Sequence, residues 1–305
     1  MNTELLAQLY QSYTGEAPAN IEPLPGAGSN RQYFRLKGKE SLIGVYGTSA
    51  EENRAFIYMA GHFSQKGLPV PRVLAQAADQ SAYLQDDLGD TSLFQFIQKG
   101  RESGCFSPEE KAMLKQTIRL LPSIQFEGSQ NMDFNYCYPL AEFNRRSILW
   151  DLNYFKYCFL KTTGLEFQEN LLEDDFEHMA DALLQIQPQV FMYRDFQSRN
   201  VMLREGKPYF IDFQGGRKGP FYYDVASFLW QAKANYPDSL RQELIDEYLD
   251  ALQPYHAIGK EQFLATLRHF VLFRTLQVLG AYGFRGYFEK KAHFIQSVPL
   301  SLIHI

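Results

Sequence analysis

The stretch YRDFQSRNVMLREGKPYFIDFQ, residues 193–214, limits the fold more tightly than any other part of the chain. Asp195 is followed five positions later by Asn200, just ahead of an apolar run. A turn at Glu205 and Gly206 separates that run from PYFID, so the two segments read as neighbouring strands. Pairing them returns Asp212 to the place where Asp195 and Asn200 stand. An aspartate that caps a turn or ends a strand accounts for any one of these residues, but not for all three converging on one cavity. Phosphoryl transfer from a nucleotide needs such a set: hard oxygen ligands for Mg2+, and one carboxylate that orients the attacking hydroxyl and takes its proton.

The rest of the chain is compatible with a large folded enzyme. At 305 residues it has room for two domains or one bilobal unit, at roughly 100 to 200 residues per domain. Hydrophobic residues make up 45% and charged residues 21%, which excludes extensive disorder. The net charge of −5 does not favour nucleic acid or an anionic membrane as partner, so an anionic cosubstrate needs its own focused basic site. Cys105, Cys137 and Cys158 are widely spaced and odd in number, as expected of free thiols in a reducing compartment. MNTELLAQLYQSYTG lacks a basic segment leading into an apolar one, and no apolar run approaches membrane-spanning length. A cytoplasmic protein is expected. The six histidines show no metal spacing.

Periodicity divides the chain. Leu5, Leu6, Leu9 and Tyr10 predict an opening helix ending near Gly15; QYFRL and SLIGVYG predict a hairpin, preceded by a turn at Gly26 to Asn30. AEENRAFIYMAGHFSQKG predicts a helix stopped by Gly67, and VPRVLAQ and SAYLQDDLG two further strands. From about Thr91 the pattern is mostly helical, with irregular stretches around Gly104 and in FEGSQNMDFNYCYP, the latter a candidate cleft wall. Further helices are predicted in SILWDLNYFKYCFL, in DDFEHMADALLQI with Asp174 or Asp175 as cap, in SLRQELIDEYLDAL and in EQFLATLRHFVLFRTLQVLGAY. The expected fold class is α+β and bilobal: an N-terminal lobe, residues 1–89, with a β-sheet and one helix, and a larger helical lobe, residues 90–305.

RDFQSRNVML followed by YFIDFQGGRKGPFYYDVASFL resembles the aminoglycoside phosphotransferase and choline kinase-like superfamily. Its usual signature is His-Gly-Asp, four residues, Asn, then Ile-Asp and a later Asp-Leu-Ala. Here Tyr193 and Arg194 replace the His and Gly, and Asp224, Val225 and Ala226 form the later motif. The arginine before the aspartate, the FQ after Asp212 and YDVASFL are similar to the anomeric sugar kinases acting on N-acetylmuramate and N-acetylglucosamine. GSNRQYFRL, YLQDDLGDTSL and RTLQVLGAYGFRGYFEKK fit the same subgroup. The resemblance implies a protein-kinase-like fold, ATP and Mg2+ as cofactors, and a small sugar as substrate. By position, it implies Asp195 as catalytic base, Asn200 and Asp212 as magnesium ligands, and Asp224 as a buried buttress. Other acceptors, such as amino alcohols or aminoglycosides, and a nucleotide-binding pseudokinase are the alternatives.

Weaker features complete the expected site. Gly28, Ser29, Asn30 and Arg31 are candidates to cover nucleotide phosphates from a glycine-containing turn. Gln85, Asp86, Asp87 and Leu88 resemble an interlobe hinge that meets the adenine edge through its backbone; a strand end capped by Asp87 is the equal alternative. The strand lysine of typical kinases is missing, its place taken by Val45 or Tyr46, and either Arg31 or Arg35 is a candidate for the charge. Asp151, Asn153, Arg194, Arg199 and Gln214 are candidate substrate-binding residues, against the plainer readings of a solvated helix side and salt bridges within the loop.

Overall fold

The computed structural model describes residues 2–25 and 31–302. Helix α1 (Asn2–Thr14) ends at Gly15, whose φ of +86° needs a residue without Cβ. Strands β1 (Asn20–Leu24), β2 (Gln32–Lys37) and β3 (Ser41–Tyr46) follow, then helix α2 (Ala50–Gln65) and strands β4 (Val73–Gln76) and β5 (Ala82–Asp86). They form one antiparallel sheet in the order β1-β2-β3-β5-β4. The sequence pattern predicted the hairpin but not β1 itself. β1 contains Pro23 and lies at the sheet edge, where a missing N–H is tolerated.

The sheet has two apolar faces because alternate residues point opposite ways. Phe34, Leu36, Leu42 and Leu84 pack against Leu6 and Tyr10 of α1 on the outer face. Ile43, Val45 and Tyr83 join the main core on the inner face, with Phe56, Met59 and Phe63 of α2. Ser49 caps α2 by accepting from the Glu52 N–H at 3.3 Å, and Glu51 and Glu52 in the first turn complement the helix dipole.

The remaining chain is mainly helical: α3 (Leu93–Phe96), α4 (Gln98–Ser103), α5 (Pro108–Arg119), α6 (Leu121–Ser129), α7 (Arg145–Cys158) and α8 (Glu169–Leu184) precede a group of short strands. The irregular stretch expected from Phe126 onward begins only after Ser129, because Phe126–Ser129 complete α6. Helix α8 starts at Glu169, so Asp174 and Asp175 lie inside it and cap nothing. Its first turns are fixed instead by Lys156 of α7, which pairs with Glu169 and Glu173 at 2.5 Å each.

Strand β6 (Gln189–Met192) pairs with β9 (Arg217–Pro220), and β7 (Val201–Arg204) with β8 (Lys207–Phe210), both antiparallel. Helices α9 (Tyr222–Leu229), α10 (Asp238–Leu252) and α11 (Lys260–Gly283) follow, and two short helices, Ala292–Ile295 and Val298–Leu302, come last. Helices α7 and α11 approach closely because α11 presents glycines to α7: a Cβ on Gly280 would stand 2.7 Å from the Phe155 nitrogen, and one on Gly283 would strike the Cys158 carbonyl. This contact holds α11 beside the segment that carries Asp195. Among the described residues, no helix is long and apolar enough to cross a membrane.

Candidate active site

The segment after β6 is held by one buried carboxylate. Asp224, in the first turn of α9, accepts the N–H of Tyr193 at 2.9 Å, the N–H of Arg194 at 2.8 Å and the Gln125 side-chain amide at 2.8 Å. The Tyr248 hydroxyl in turn donates to Gln125 Oε1 at 2.7 Å. Burial pushes the Asp224 carboxyl up to about 7, against the lowering effect of these donors. Arg194 stands at φ +76°, in the left-handed region where glycine is at ease, and Asp224 pins its N–H there. Phe196, fully buried against Tyr193, Phe210 and Phe228, anchors the other side of the turn.

The two halves of the motif meet as the strand pairing requires. Asn200 donates its side-chain N–H to the Asp195 carbonyl at 2.8 Å, which fixes the amide and leaves Oδ1 as the acceptor. The Ile211 N–H donates to the Asn200 carbonyl at 3.0 Å, and the Tyr193 hydroxyl donates to the Ile211 carbonyl. Asp212 is therefore delivered beside Asp195, at φ +66°. Burial first, then the Asp195 charge, lift the Asp212 carboxyl above its usual range, while Gln214 and Arg31 pull it down. Gln214 donates to Asp212 Oδ1 at 2.6 Å. Phe213 stacks on Phe56 of α2 at 4.9 Å and lies edge-on to Phe63, so the position of Asp212 is tied to the small lobe.

The missing strand lysine has a geometric answer. Val45 is buried in the main core and Tyr46 packs on the outer cluster. Arg31 instead approaches Glu52 of α2 at 3.2 Å, lies over the Phe56 ring at 5.7 Å and is close enough to Asp212 to lower its carboxyl. Arg35 pairs with Asp87 at 2.8 Å and Asp90 at 2.7 Å, away from these residues. The acidic side chains of the segment expected to form a hinge are likewise engaged. Asp86 accepts from the Arg72 guanidinium and N–H, and Asp87 from Arg35, the Ser41 hydroxyl at 2.6 Å and the Gly89 N–H at 3.0 Å. Gln85 and Asp86 sit in the β3–β5 ladder; Asp87 and Leu88 lie just beyond its end. Gly28, Ser29 and Asn30 fall outside the described residues.

Of the residues expected to bind substrate, Asp151 and Arg194 meet each other, with Arg194 Nη2 at 2.8 and 3.0 Å from the two carboxylate oxygens. Asn153 is not part of this group; two residues along a helix turn it about 200° away from Asp151. Arg199 is exposed and lines a small cavity of about 30 Å³ with Lys233 and Arg274. A larger cavity of about 450 Å³, between α2 and the loop at Asp133–Tyr138, is walled by the stretch expected to line a cleft but takes in none of the candidate catalytic, metal, nucleotide or substrate residues. Three residues near Asp195 or Asp151 had no signal of their own in the sequence. Arg274 of α11 reaches Asp195 Oδ1 at 3.4 Å, and Arg217 and Tyr223 are buried next to Asp151.

With this geometry in place, the comparisons with known proteins are direct. The model of the APH phosphotransferase enzyme family matches residues 20–258. The chain belongs to this family. Two curated relatives carry the name N-acetylmuramate/N-acetylglucosamine kinase. The protein from Pseudomonas aeruginosa is 26% identical over 295 residues, covering 92% of this chain and 81% of its own. The one from Neisseria meningitidis is 28% identical over 244 residues, covering 77% and 69%. The solved choline kinase of Cryptosporidium parvum shares the fold, with a TM-score of 0.64 at 12% identity over 99% of both chains. This phosphotransferase is thus an ATP-dependent kinase with a protein-kinase-like fold.

Proposed function

We propose that this kinase transfers the γ-phosphate of ATP to the anomeric hydroxyl of an N-acetylated amino sugar, in the cytoplasm, as a step in reuse of cell-wall sugars. The convergence of Asp195, Asn200 and Asp212 is the observation that carries the chemistry, and the two curated relatives support the sugar. Nucleotide would lie between the sheet and the helical lobe, its adenine at the backbone of Asp87 and Leu88 and its phosphates toward Arg31 and Asp212. Arg31 takes the role of the absent strand lysine, with Glu52 holding it in place.

Asn200 Oδ1 and the Asp212 carboxylate fit Mg2+, which uses one or two carboxylates and fills its shell with phosphate oxygens and water. Among the described residues there is no group of three His, Cys, Asp or Glu that would make a self-sufficient cage. The ion, when bound, neutralises charge on the β and γ phosphates. Asp195 accepts the proton of the attacking hydroxyl from an exposed position at the cleft. Arg274, at 3.4 Å, keeps that carboxylate oriented. Asp224 holds the strained turn on which both the base and Arg194 depend. Positioning and electrostatics would supply most of the rate. Polycationic aminoglycosides fit poorly with Arg194, Arg217 and Arg274 around the base.

An ADP-release assay with N-acetylglucosamine, N-acetylmuramate, other hexoses, amino alcohols and aminoglycosides tests this reading. The expected outcome is turnover confined to the amino sugars, with NMR placing phosphate on the anomeric oxygen. Preferential turnover of an amino alcohol or aminoglycoside would replace it.

A further inference from the structure

Behind the catalytic turn, three guanidinium groups face two carboxylates. Arg194 is committed to Asp151, and Arg274 contacts Asp195 and the Ser227 hydroxyl. Arg217 has no such partner. It sits in β9 directly across from Met192, three residues before Asp195, and its side chain is 1% exposed. Its Nε and Nη1 make no hydrogen bond, and Nη2 has only a long one, 3.3 Å, to the Gly215 carbonyl. Burial, then repulsion from Arg194, pull its guanidinium down to about 10 despite the attraction of Asp151. A buried guanidinium whose N–H groups lack acceptors is unfavourable unless something else supplies them.

Two further polar atoms of the candidate site are buried and unmatched. The Tyr223 hydroxyl stands in the field of Arg274, Arg194, Asp151 and Asp195, and Gln214 Oε1 lies beyond the amide that holds Asp212. Gly215, between Gln214 and Arg217, borders open space: an added Cβ would meet nothing within 4 Å. The unmatched set is therefore two guanidinium N–H sites and a hydroxyl awaiting an anionic acceptor, and one amide oxygen awaiting a donor. A neutral hexose supplies hydroxyls for both but leaves the guanidinium charge uncompensated.

We infer that Arg217, with Tyr223, forms a carboxylate subsite, and that the acceptor is a sugar bearing an acidic substituent, with Gln214 Oε1 taking a hydroxyl or amide N–H of the same molecule. The inference rests on the amino-sugar reading above and narrows it to the acidic members of that class. N-acetylmuramate carries such a carboxylate on its lactyl ether; N-acetylglucosamine does not.

The test compares initial rates on N-acetylmuramate, its methyl ester and N-acetylglucosamine, for the unmodified enzyme and for Arg217→Met. The unmodified enzyme is expected to show a KM at least tenfold lower for the acid than for the ester. Arg217→Met should lower the acid-to-ester ratio of kcat/KM at least tenfold. Equal KM values for acid and ester while amino sugars are turned over would overturn the carboxylate subsite alone. An equal loss on both in Arg217→Met would make Arg217 a structural residue and overturn its assignment. Turnover of no amino sugar would remove the underlying reading and this inference together. If Arg217→Met does not fold, the acid–ester comparison on the unmodified enzyme decides by itself.

Discussion

Arg31 stands just before β2 and Arg35 within it, four residues apart, so they share the inner face of the sheet, yet they end in opposite company. Arg31 is drawn to Glu52 and Asp212, whereas Arg35 is locked between Asp87 and Asp90 beyond the end of β5. Both were equal candidates for the missing lysine charge, since residue type and strand parity are the same. What separates them is the tertiary placement of acidic groups: α2 brings one carboxylate to one end of the strand and the hinge brings two to the other.

The comparison can be broken in several ways. Asp212→Asn should have the largest effect, removing a charged ligand at the phosphate end and lowering kcat on the order of 10³-fold, as read by ADP release at saturating ATP. Arg31→Met should lower kcat/KM for ATP by about 10²-fold, in line with loss of one preorganised phosphate-stabilising group. Arg35→Met should leave turnover within about threefold while lowering stability by about 1–3 kcal/mol, the scale of hydrogen bonds to charged groups, in urea titration. Equal kinetic losses in the two variants would erase the distinction between the ends of the strand.

The smallest effect concerns Asp224. Its carboxyl rises to about 7 in the folded protein from an ordinary value of 3.8, so the folded state keeps a proton that the unfolded chain releases between those values. The stabilisation from that proton is complete below about 3.8 and is lost as pH rises through 7. The melting-temperature advantage of the unmodified protein over Asp224→Asn should shrink between pH 5 and pH 8. An advantage that grows over this interval would mean that the N–H donors, not burial, dominate at this carboxylate.

The catalytic hairpin was legible because its logic is local. Asp195 and Asn200 lead into one strand-turn-strand unit and Asp212 follows it, and alternating apolar residues fix which way each strand faces. Apart from the edge strand β1, the sheet and α2 were legible for the same reason. Asp151, Arg217, Tyr223 and Arg274 belong to α7, β9, α9 and α11, and no period or spacing relates them. Their meeting depends on details such as Gly280 and Gly283 letting α11 close on α7. The misplaced start of α8 has a similar origin: a capping aspartate is a plausible local signal, but Lys156, from the preceding helix, fixes the first turns.

The central claim is that Asp195 serves chemistry rather than nucleotide binding or folding. Asp195→Asn keeps the size of the side chain and its place beside Arg274 but removes the base. Turnover should fall by about 10²–10⁴-fold, the usual contribution of a general base, while the rise in melting temperature on adding Mg·ATP stays as in the unmodified kinase. Near-normal ADP release from Asp195→Asn would contradict the account.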